Sequence, residues 1–177
     1  GPAWTRVTEA DGTPGQWYLH LFDPKQPDFN WENPAVRADF ESVLRFWLDL
    51  GVDGFRVDVA HGLIKEAGLP DWTGAMNMLD LTDLDKQHPP MWDQDGVHEI
   101  YRGWRKILDS YNTTGDAAND RAMCAEAWVD PPERAALFVR DDEFHQAFNF
   151  DFLQTPWRAT DLREVIALSL IHISEPT

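Results

Sequence analysis

Apolar residues recur along this chain at two different spacings, and the spacing predicts where helices and strands lie. Between Asn33 and Gly51 they return every three or four positions, which is typical of an amphipathic helix. Asn33 suits the N-cap of this helix, Pro34 suits its first position because proline has no N–H to leave unpaired, and Gly51 suits its C-terminal end. A second helix is predicted to begin near Gly96, because the apolar residues of 97–111 fall along one stripe.

Three short apolar segments are too brief for helices and predict buried strands. They comprise residues 52–58, 122–126 and 147–150. Further helices are predicted to begin near Asp130 and at Asp161, which suits an N-cap. The residues before Asn33 are polar and rich in proline and glycine, so we interpret them as irregular, except that the alternation over 16–22 is typical of a strand.

The alternation of strands and helices predicts an α/β fold with a parallel sheet and helical crossovers. Two architectures fit this order, an open doubly wound sheet and a (β/α)8 barrel. No glycine-rich phosphate loop follows any of the three predicted strands, which argues against nucleotide binding. Acidic residues stand at the C-terminal ends of the strands, where barrel enzymes carry their chemistry. The long loop over 70–96 is of a length typical of functional loops.

Composition excludes several classes of partner. The 177 residues include 31 acidic and 15 basic side chains, so the formal net charge is −16. Such a chain has no basic excess to meet nucleic-acid phosphates or an anionic membrane surface. The sequence contains no run of 18 apolar residues, the length that a membrane-spanning helix needs. A single cysteine, Cys124, excludes a disulfide within the chain.

Asp58 and Glu126 are candidate catalytic residues because each ends a predicted strand. Arg56 lies two residues before Asp58, so both side chains point to the same side of the strand, and the guanidinium is expected to lower the pKa of Asp58. If the two strands are neighbours, the two acids face each other. Carboxyl groups about 5 to 5.5 Å apart are the arrangement of a retaining glycosidase. The alternative is that Arg56 and Asp58 orient a loop while Glu126 caps the following segment.

Four motifs, in order and in spacing, resemble those of the α-amylase family of glycoside hydrolases. Residues 54–62, GFRVDVAHG, resemble the nucleophile strand of that family, whose pattern is G-x-R-x-D. Residues 26–30, QPDFN, are similar to its short signature near the end of the inserted domain B. Residues 125–128, AEAW, resemble its general-acid strand, and residues 148–152, FNFDF, resemble the sixth-strand region of its α-glucosidases.

The resemblance implies a partial (β/α)8 TIM barrel that covers roughly strands 4 to 6. Residues 1–33 would be the end of domain B, residues 34–168 the partial catalytic barrel, and residues 169–177 a non-native tail. It also implies that Asp58 is the nucleophile, that Glu126 is the acid/base, and that Arg56 holds the charge of the nucleophile. His61, three residues after Asp58, is a candidate for contact with substrate, or else it is hydrogen-bonded within its own loop.

Two motifs of the family, the third-strand D-x-x-x-N-H and the seventh-strand N-H-D, have no match in the chain. We therefore expect a full-length parent that hydrolyses maltose, isomaltose or short malto-oligosaccharides with retention, and an inactive 177-residue piece. Val59, directly after the nucleophile, resembles the pattern of α-1,6-specific relatives. The alternatives are a transglycosylase, such as a trehalose synthase or a sucrose-using relative, and a catalytically silent binding or transporter-associated homologue.

Nothing in the sequence predicts a cofactor or a particular oligomeric state. The acids between Asp80 and Asp95 are expected to form a solvated loop face rather than a metal site, and Asp151, at the end of the third predicted strand, is expected to have a structural role. A cytoplasmic location is expected from the usual α-glucosidases of the family.

Overall fold

The structure is a computed structural model that describes residues 2–72, 89–112, 115 and 120–173. In this part of the chain an antiparallel hairpin precedes a three-stranded parallel sheet and its helices. The strands are β1 (Trp4–Thr8), β2 (Pro14–Leu19), β3 (Gly54–Val57), β4 (Ala122–Ala125) and β5 (Gln146–Ala147). The helices are α1 (Pro34–Asp49), α2 (Gly96–Asp109), α3 (Pro132–Phe138), α4 (Phe150–Gln154) and α5 (Ala159–Ile173), with a short 3-10 helix at Ala60–Gly62.

Helix α1 begins and ends where its sequence predicts. The side chain of Asn33 accepts a hydrogen bond from the N–H of Ala35 at 2.9 Å, and Pro34 occupies the first helical position. At the other end Gly51 has a φ of +92°, which glycine adopts without strain, and its N–H donates to the carbonyl of Leu48 at 2.9 Å. The helix therefore ends just before the strand that carries the first candidate acid.

Strand β4 lies at the centre of the parallel sheet, between β3 and β5. Gly54 pairs with Ala122 and Val57 pairs with Ala125, so β3 and β4 end at the same level. A Cβ at Gly54 would lie 2.2 Å from the carbonyl oxygen of Ala122, so a larger residue would push these strands apart. The residues that follow β3 and β4 therefore emerge side by side.

The hydrophobic core joins the sheet to α1 and α2. Helix α2 supplies the largest share through one buried stripe: Val97, Ile100, Tyr101, Trp104, Ile107 and Leu108. Leu44 and Leu48 of α1 and Met123 of β4 belong to the same buried cluster. The apolar periodicity predicted after Gly96 is thus the face of α2 that covers the sheet.

A buried ion cluster fastens the segment before β5 to α2. Glu143 is fully buried, and its carboxylate lies 2.7 Å from His98 Nδ1, 2.5 Å from Arg140 Nη2 and 3.2 Å from Arg102 Nη2. The backbone carbonyl of Glu143 also accepts from Arg105 Nη1 at 3.1 Å. Loss of any one of these contacts would leave a buried polar group with fewer partners.

The N-terminal segment contains more regular structure than its composition predicts. Its alternating stretch forms β2, and β1, which was not predicted, pairs with it antiparallel, with Trp4 opposite Leu19 and Arg6 opposite Trp17. Strand β1 is largely exposed, so its sequence shows little alternation of apolar and polar residues. It is a strand because it pairs with β2, and the sequence alone does not show that pairing.

The third predicted strand, over 147–150, is shorter than predicted and begins one residue earlier. Strand β5 has two residues, and Asn149 instead caps α4, its side chain accepting from the N–H of Phe152 at 2.9 Å. Asp151 therefore lies in the first turn of α4 rather than at a strand end, where desolvation and the charge of Asp130 raise the pKa of its carboxyl. Asp161 likewise lies inside the first turn of α5 rather than at its N-cap.

Helix α5 continues to Ile173 and so includes part of the segment 169–177, whose last four residues lie outside the described part of the chain. The division of the chain at residues 33 and 168 stays a prediction. Among the described residues, no helix combines the length and the apolar character needed to cross a membrane.

Candidate active site

Arg56 joins the two candidate acids. Asp58 directly follows β3 and Glu126 directly follows β4. Arg56 Nη1 donates to Asp58 Oδ1 at 2.5 Å, and Arg56 Nη2 lies 2.7 Å from Glu126 Oε2. Arg56 and Asp58 lie close together because they are two residues apart in an extended segment. The register of β3 against β4 brings Glu126 next to Arg56. One guanidinium therefore contacts both carboxyl groups.

The surroundings of Asp58 favour its ionised form. A hydrogen bond with the side chain of Glu126 lowers the pKa of Asp58, desolvation opposes this, and the hydrogen bond and charge of Arg56 lower the pKa further. The ionised carboxylate is the form in which an aspartate acts as a nucleophile.

Glu126 is held in place through both its backbone and its side chain. Its N–H donates to Val57 O at 3.0 Å and its carbonyl accepts from the N–H of Ala60 at 2.8 Å. Its Oε2 accepts from the N–H of Val59 at 3.2 Å, and its Oε1 accepts from Trp128 Nε1 at 3.4 Å. The loop after β3 therefore fixes the Glu126 carboxyl relative to Asp58.

Val59 adopts a strained backbone conformation in this loop. Its φ is +48°, a left-handed value that β-branched residues rarely take. The loop packs tightly around it, since a Cβ at Gly62 would lie 2.8 Å from Val59 Cγ1 and 2.6 Å from the ring of Trp92. Tyr101 of α2 supports the loop from below, because its hydroxyl donates to Ala60 O at 2.5 Å. The strained turn is what directs the Val59 N–H at Glu126.

His61 lies in the interior of the same loop, with a relative exposure of 1%. Its Nδ1 accepts from the N–H of Trp128 at 3.4 Å, and its ring centroid lies 4.9 Å from that of Trp92. Burial lowers the pKa of His61 to about 4, so the ring is neutral at pH 7 and Nδ1 is free to accept. The ring therefore bonds to the segment after β4 rather than within its own loop, and contact with substrate stays a prediction.

Aromatic rings surround the paired acids. Trp128 stacks on Phe150 with ring centroids 3.5 Å apart and planes 13° from parallel, and the Phe148 ring centroid lies 5.8 Å from the Arg56 guanidinium carbon. A cavity of about 290 Å³ borders Asp58 and Val59, and aromatic side chains line much of it: Phe22, Phe29, Trp31, Phe40 and Trp92. A cavity lined by aromatic rings and a few carboxylates is typical of a small-molecule site.

Sequence reasoning did not identify these aromatic residues as part of the site. Trp128 stands three residues after the end of β4 and Phe148 stands one residue after the end of β5, and this proximity was the available signal. Phe29 and Trp31 come from the segment before α1, and the contact of that segment with the loop after β3 arises only in the folded chain.

Asp93 contradicts the expectation of a solvated acidic loop. Its side chain is 3% exposed, and Arg134 Nε donates to its Oδ2 at 2.7 Å. Asp95 is exposed and contacts the same arginine at 3.0 Å. Residues 73–88, which include Asp80, lie outside the described residues. Within the described ranges, no group of three or more histidine, cysteine, aspartate or glutamate side chains is arranged to hold a metal ion.

Paired carboxyl groups at the C-terminal edge of a parallel sheet with helical crossovers are typical of the active sites of α/β enzymes. The family model of the alpha-amylase catalytic domain matches residues 1–174, and the chain therefore belongs to the alpha-amylase family.

Individual relatives agree with this assignment. The chain is 54% identical to the oligo-1,6-glucosidase of Parageobacillus thermoglucosidasius over 184 positions, which cover 94% of this chain and 29% of that protein. It is 32% identical to the human amino acid transporter heavy chain SLC3A1 over 133 positions, 72% of this chain and 19% of that protein.

Among solved structures, a trehalulose synthase mutant in complex with Tris is similar to this chain with a TM-score of 0.74 and 27% identity. The likeness covers 99% of this chain and 31% of that one. The chain thus spans less than a third of each of these three proteins.

Proposed function

We propose that the chain is the central part of a retaining α-glucosidase, with β3, β4 and β5 as roughly the fourth, fifth and sixth strands of a (β/α)8 barrel. The observation that carries the proposal is the contact of one guanidinium with two carboxyl groups, Asp58 at 2.5 Å and Glu126 at 2.7 Å. The short coverage of its relatives supports a longer parent protein, in which further strands would complete the barrel and the third acid of the site.

The proposed reaction uses the two acids in turn. Glu126 donates its proton to the glycosidic oxygen while the Asp58 carboxylate attacks the anomeric carbon, so the bond to the leaving sugar breaks and a glucosyl ester forms. Glu126, now ionised, then takes a proton from water, and the resulting hydroxide displaces Asp58. Two inversions at one carbon give net retention. Arg56 would keep Asp58 ionised before the attack and stabilise the negative charge that passes between the two groups.

We infer a preference for short α-1,6-linked glucosides such as isomaltose, with maltose as the competing substrate. Two features support it, Val59 directly after the nucleophile and the name of the relative at 54% identity, an oligo-1,6-glucosidase. The enzyme would need neither nucleic acid nor membrane as a partner, and the cytoplasmic location stays an expectation.

A transglycosylase is the second candidate, and the likeness to a trehalulose synthase at a TM-score of 0.74 favours it. Such an enzyme would use the same two acids and differ in how well water is kept from the glucosyl ester. A silent homologue is the third candidate, favoured by the likeness to a transporter heavy chain. The ion-paired Arg56, Asp58 and Glu126 weigh against it, since a binding protein has no need of that arrangement.

The test is product analysis on the full-length protein that contains this chain. Isomaltose, maltose and sucrose are supplied separately, and the anomer of the first-formed product is followed by proton NMR. Release of α-glucose from isomaltose supports the proposal, whereas β-glucose contradicts retention. Rearranged disaccharide as the main product supports the transglycosylase, and a folded protein inert on all three sugars supports the silent homologue. The 177-residue chain alone is expected to be inactive in the same assay.

A further inference from the structure

Arg134 and Asp93 form an ion pair next to the loop that follows Asp58. Arg134 stands near the start of α3, and its Nε donates to Asp93 Oδ2 at 2.7 Å. Its Nη2 donates to Asp93 Oδ1 at 3.0 Å and to the backbone carbonyl of Asp93 at 2.9 Å. The planar guanidinium therefore meets three oxygens of one residue, an arrangement that a lysine cannot reproduce. The Asp93 side chain is 3% exposed, so this ion pair is largely shielded from water.

Asp93 in turn holds the loop that follows the nucleophile. Its backbone N–H donates to the carbonyl of His61 at 2.7 Å, and the neighbouring Trp92 packs against the His61 ring. Asp93 has a φ of +50°, an uncommon conformation that aspartate tolerates better than most residues. Arg134 thus stabilises the turn at Asp93. The N–H of Asp93 in turn holds His61, which lies three residues after Asp58.

His61 passes this restraint to the acid/base strand. Its Nδ1 accepts from the backbone N–H of Trp128 at 3.4 Å, and the indole Nε1 of Trp128 donates to Glu126 Oε1 at 3.4 Å. A continuous series of contacts therefore runs from Arg134 through Asp93, His61 and Trp128 to Glu126.

We propose that Arg134 is a positioning residue for Glu126, acting through Asp93 and the loop that contains His61. This inference rests on the proposed function, because it takes Glu126 as the general acid. Loss of the guanidinium would break the ion pair of the buried Asp93 carboxylate and loosen the turn over 91–95. The His61 carbonyl and ring would lose their restraints, and the Glu126 carboxyl would lose part of its fixed position relative to the glycosidic oxygen.

The experiment compares two substrates in the full-length protein. Isomaltose needs protonation of its leaving oxygen, whereas p-nitrophenyl α-glucoside releases a stable phenolate that needs little help from an acid. Arg134→Ala is expected to lower kcat/KM for isomaltose by about tenfold or more and that for p-nitrophenyl α-glucoside by less than about threefold. Arg134→Lys keeps the charge but not the fork, and is expected to show the same discrimination to a smaller degree.

The matched control is Arg158→Ala, which removes an arginine that is 70% exposed and pairs with Asp161 within three residues. Near-UV circular dichroism and a thermal melt establish that each variant is folded, and Arg134→Lys decides the matter if Arg134→Ala does not fold. Equal losses on both substrates, or rates equal to those of the control, would overturn the inference. A wild-type protein inert on both substrates would contradict the proposed function instead.

Discussion

Arg56 Nη2 lies 2.7 Å from Glu126 Oε2, across the junction of two adjacent parallel strands. The arginine that sequence spacing places beside Asp58, the proposed nucleophile, is therefore also a partner of Glu126, the proposed acid/base. Arg56 lowers the pKa of Asp58 and also contacts Glu126, so a change at Arg56 alters the surroundings of both carboxyl groups.

This arrangement predicts a pH effect of Arg56→Lys in the full-length protein. A lysine cannot contact both carboxyl groups through a planar fork, so kcat/KM is expected to fall by roughly 100-fold. The bond with Glu126 and the contact with Arg56 hold the pKa of Asp58 below its usual range. Loss of the guanidinium raises that pKa, so the acidic limb of the profile moves to higher pH. The profile of Arg158→Lys should match the wild type, and an unmoved acidic limb in Arg56→Lys would refute the electrostatic role.

The roles of Asp58 and Glu126 predict opposite outcomes of rescue by azide. In Asp58→Ala, azide fits the place of the lost carboxylate and attacks the sugar once, so the product is the inverted β-glucosyl azide. In Glu126→Ala, Asp58 still forms the ester and azide attacks second, so the product is the retained α-glucosyl azide. An activated aryl α-glucoside supplies the leaving group, and NMR of the product gives its configuration. The same anomer from both variants would mean that the two roles are misassigned.

The buried cluster around Glu143 predicts a large effect on stability. Glu143→Ala leaves His98 and two arginines facing an empty interior position, so the free energy of unfolding is expected to fall by about 3–5 kcal/mol. The control Glu99→Ala removes a carboxylate that is 75% exposed and pairs with Arg37, which should cost less than about 1 kcal/mol. Urea denaturation of the full-length protein measures both, and similar midpoints for the two variants would speak against the cluster.

Gly62 predicts a steric effect close to the nucleophile. A Cβ at this position would lie 2.6 Å from the Trp92 ring and 2.8 Å from Val59 Cγ1, so Gly62→Ala is expected to cost about 1–3 kcal/mol and to lower kcat by moving the loop after Asp58. In the control Gly103→Ala, in the middle of α2, the nearest atom is Glu41 Oε1 at 3.9 Å. That change should stabilise the helix by about 0.5–1 kcal/mol. A Gly62→Ala variant with normal stability and kcat would show that the loop is less tightly packed than described.

Features encoded over a few residues were predictable from the sequence. The N-cap at Asn33 and the end of α1 at Gly51 use local backbone chemistry, and the acids after β3 and β4 directly follow short apolar runs. The Arg56 to Asp58 contact also follows from two residues on one side of a strand.

Features that depend on distant pairing were not predictable in this way. Arg134 and Asp93 are 41 residues apart, and His98 and Glu143 are 45 apart, so no local pattern shows that they meet. The same limit applies to β1, which is recognisable as a strand only once its pairing with β2 is seen. Asp93 illustrates the consequence, because this acid of the 70–96 loop lies in the interior and pairs there with an arginine of α3.

The left-handed Val59 sets protein stability against catalytic geometry at a single position. A β-branched residue with a φ of +48° costs on the order of 1–3 kcal/mol, and the conformation persists because the loop around it is fixed by its contacts. A screen for heat resistance alone would therefore enrich Val59→Gly, because glycine adopts this φ without strain. The selected variants would be more stable proteins in which the Glu126 carboxyl is held less firmly, so a screen for thermostable variants should measure turnover at the same time.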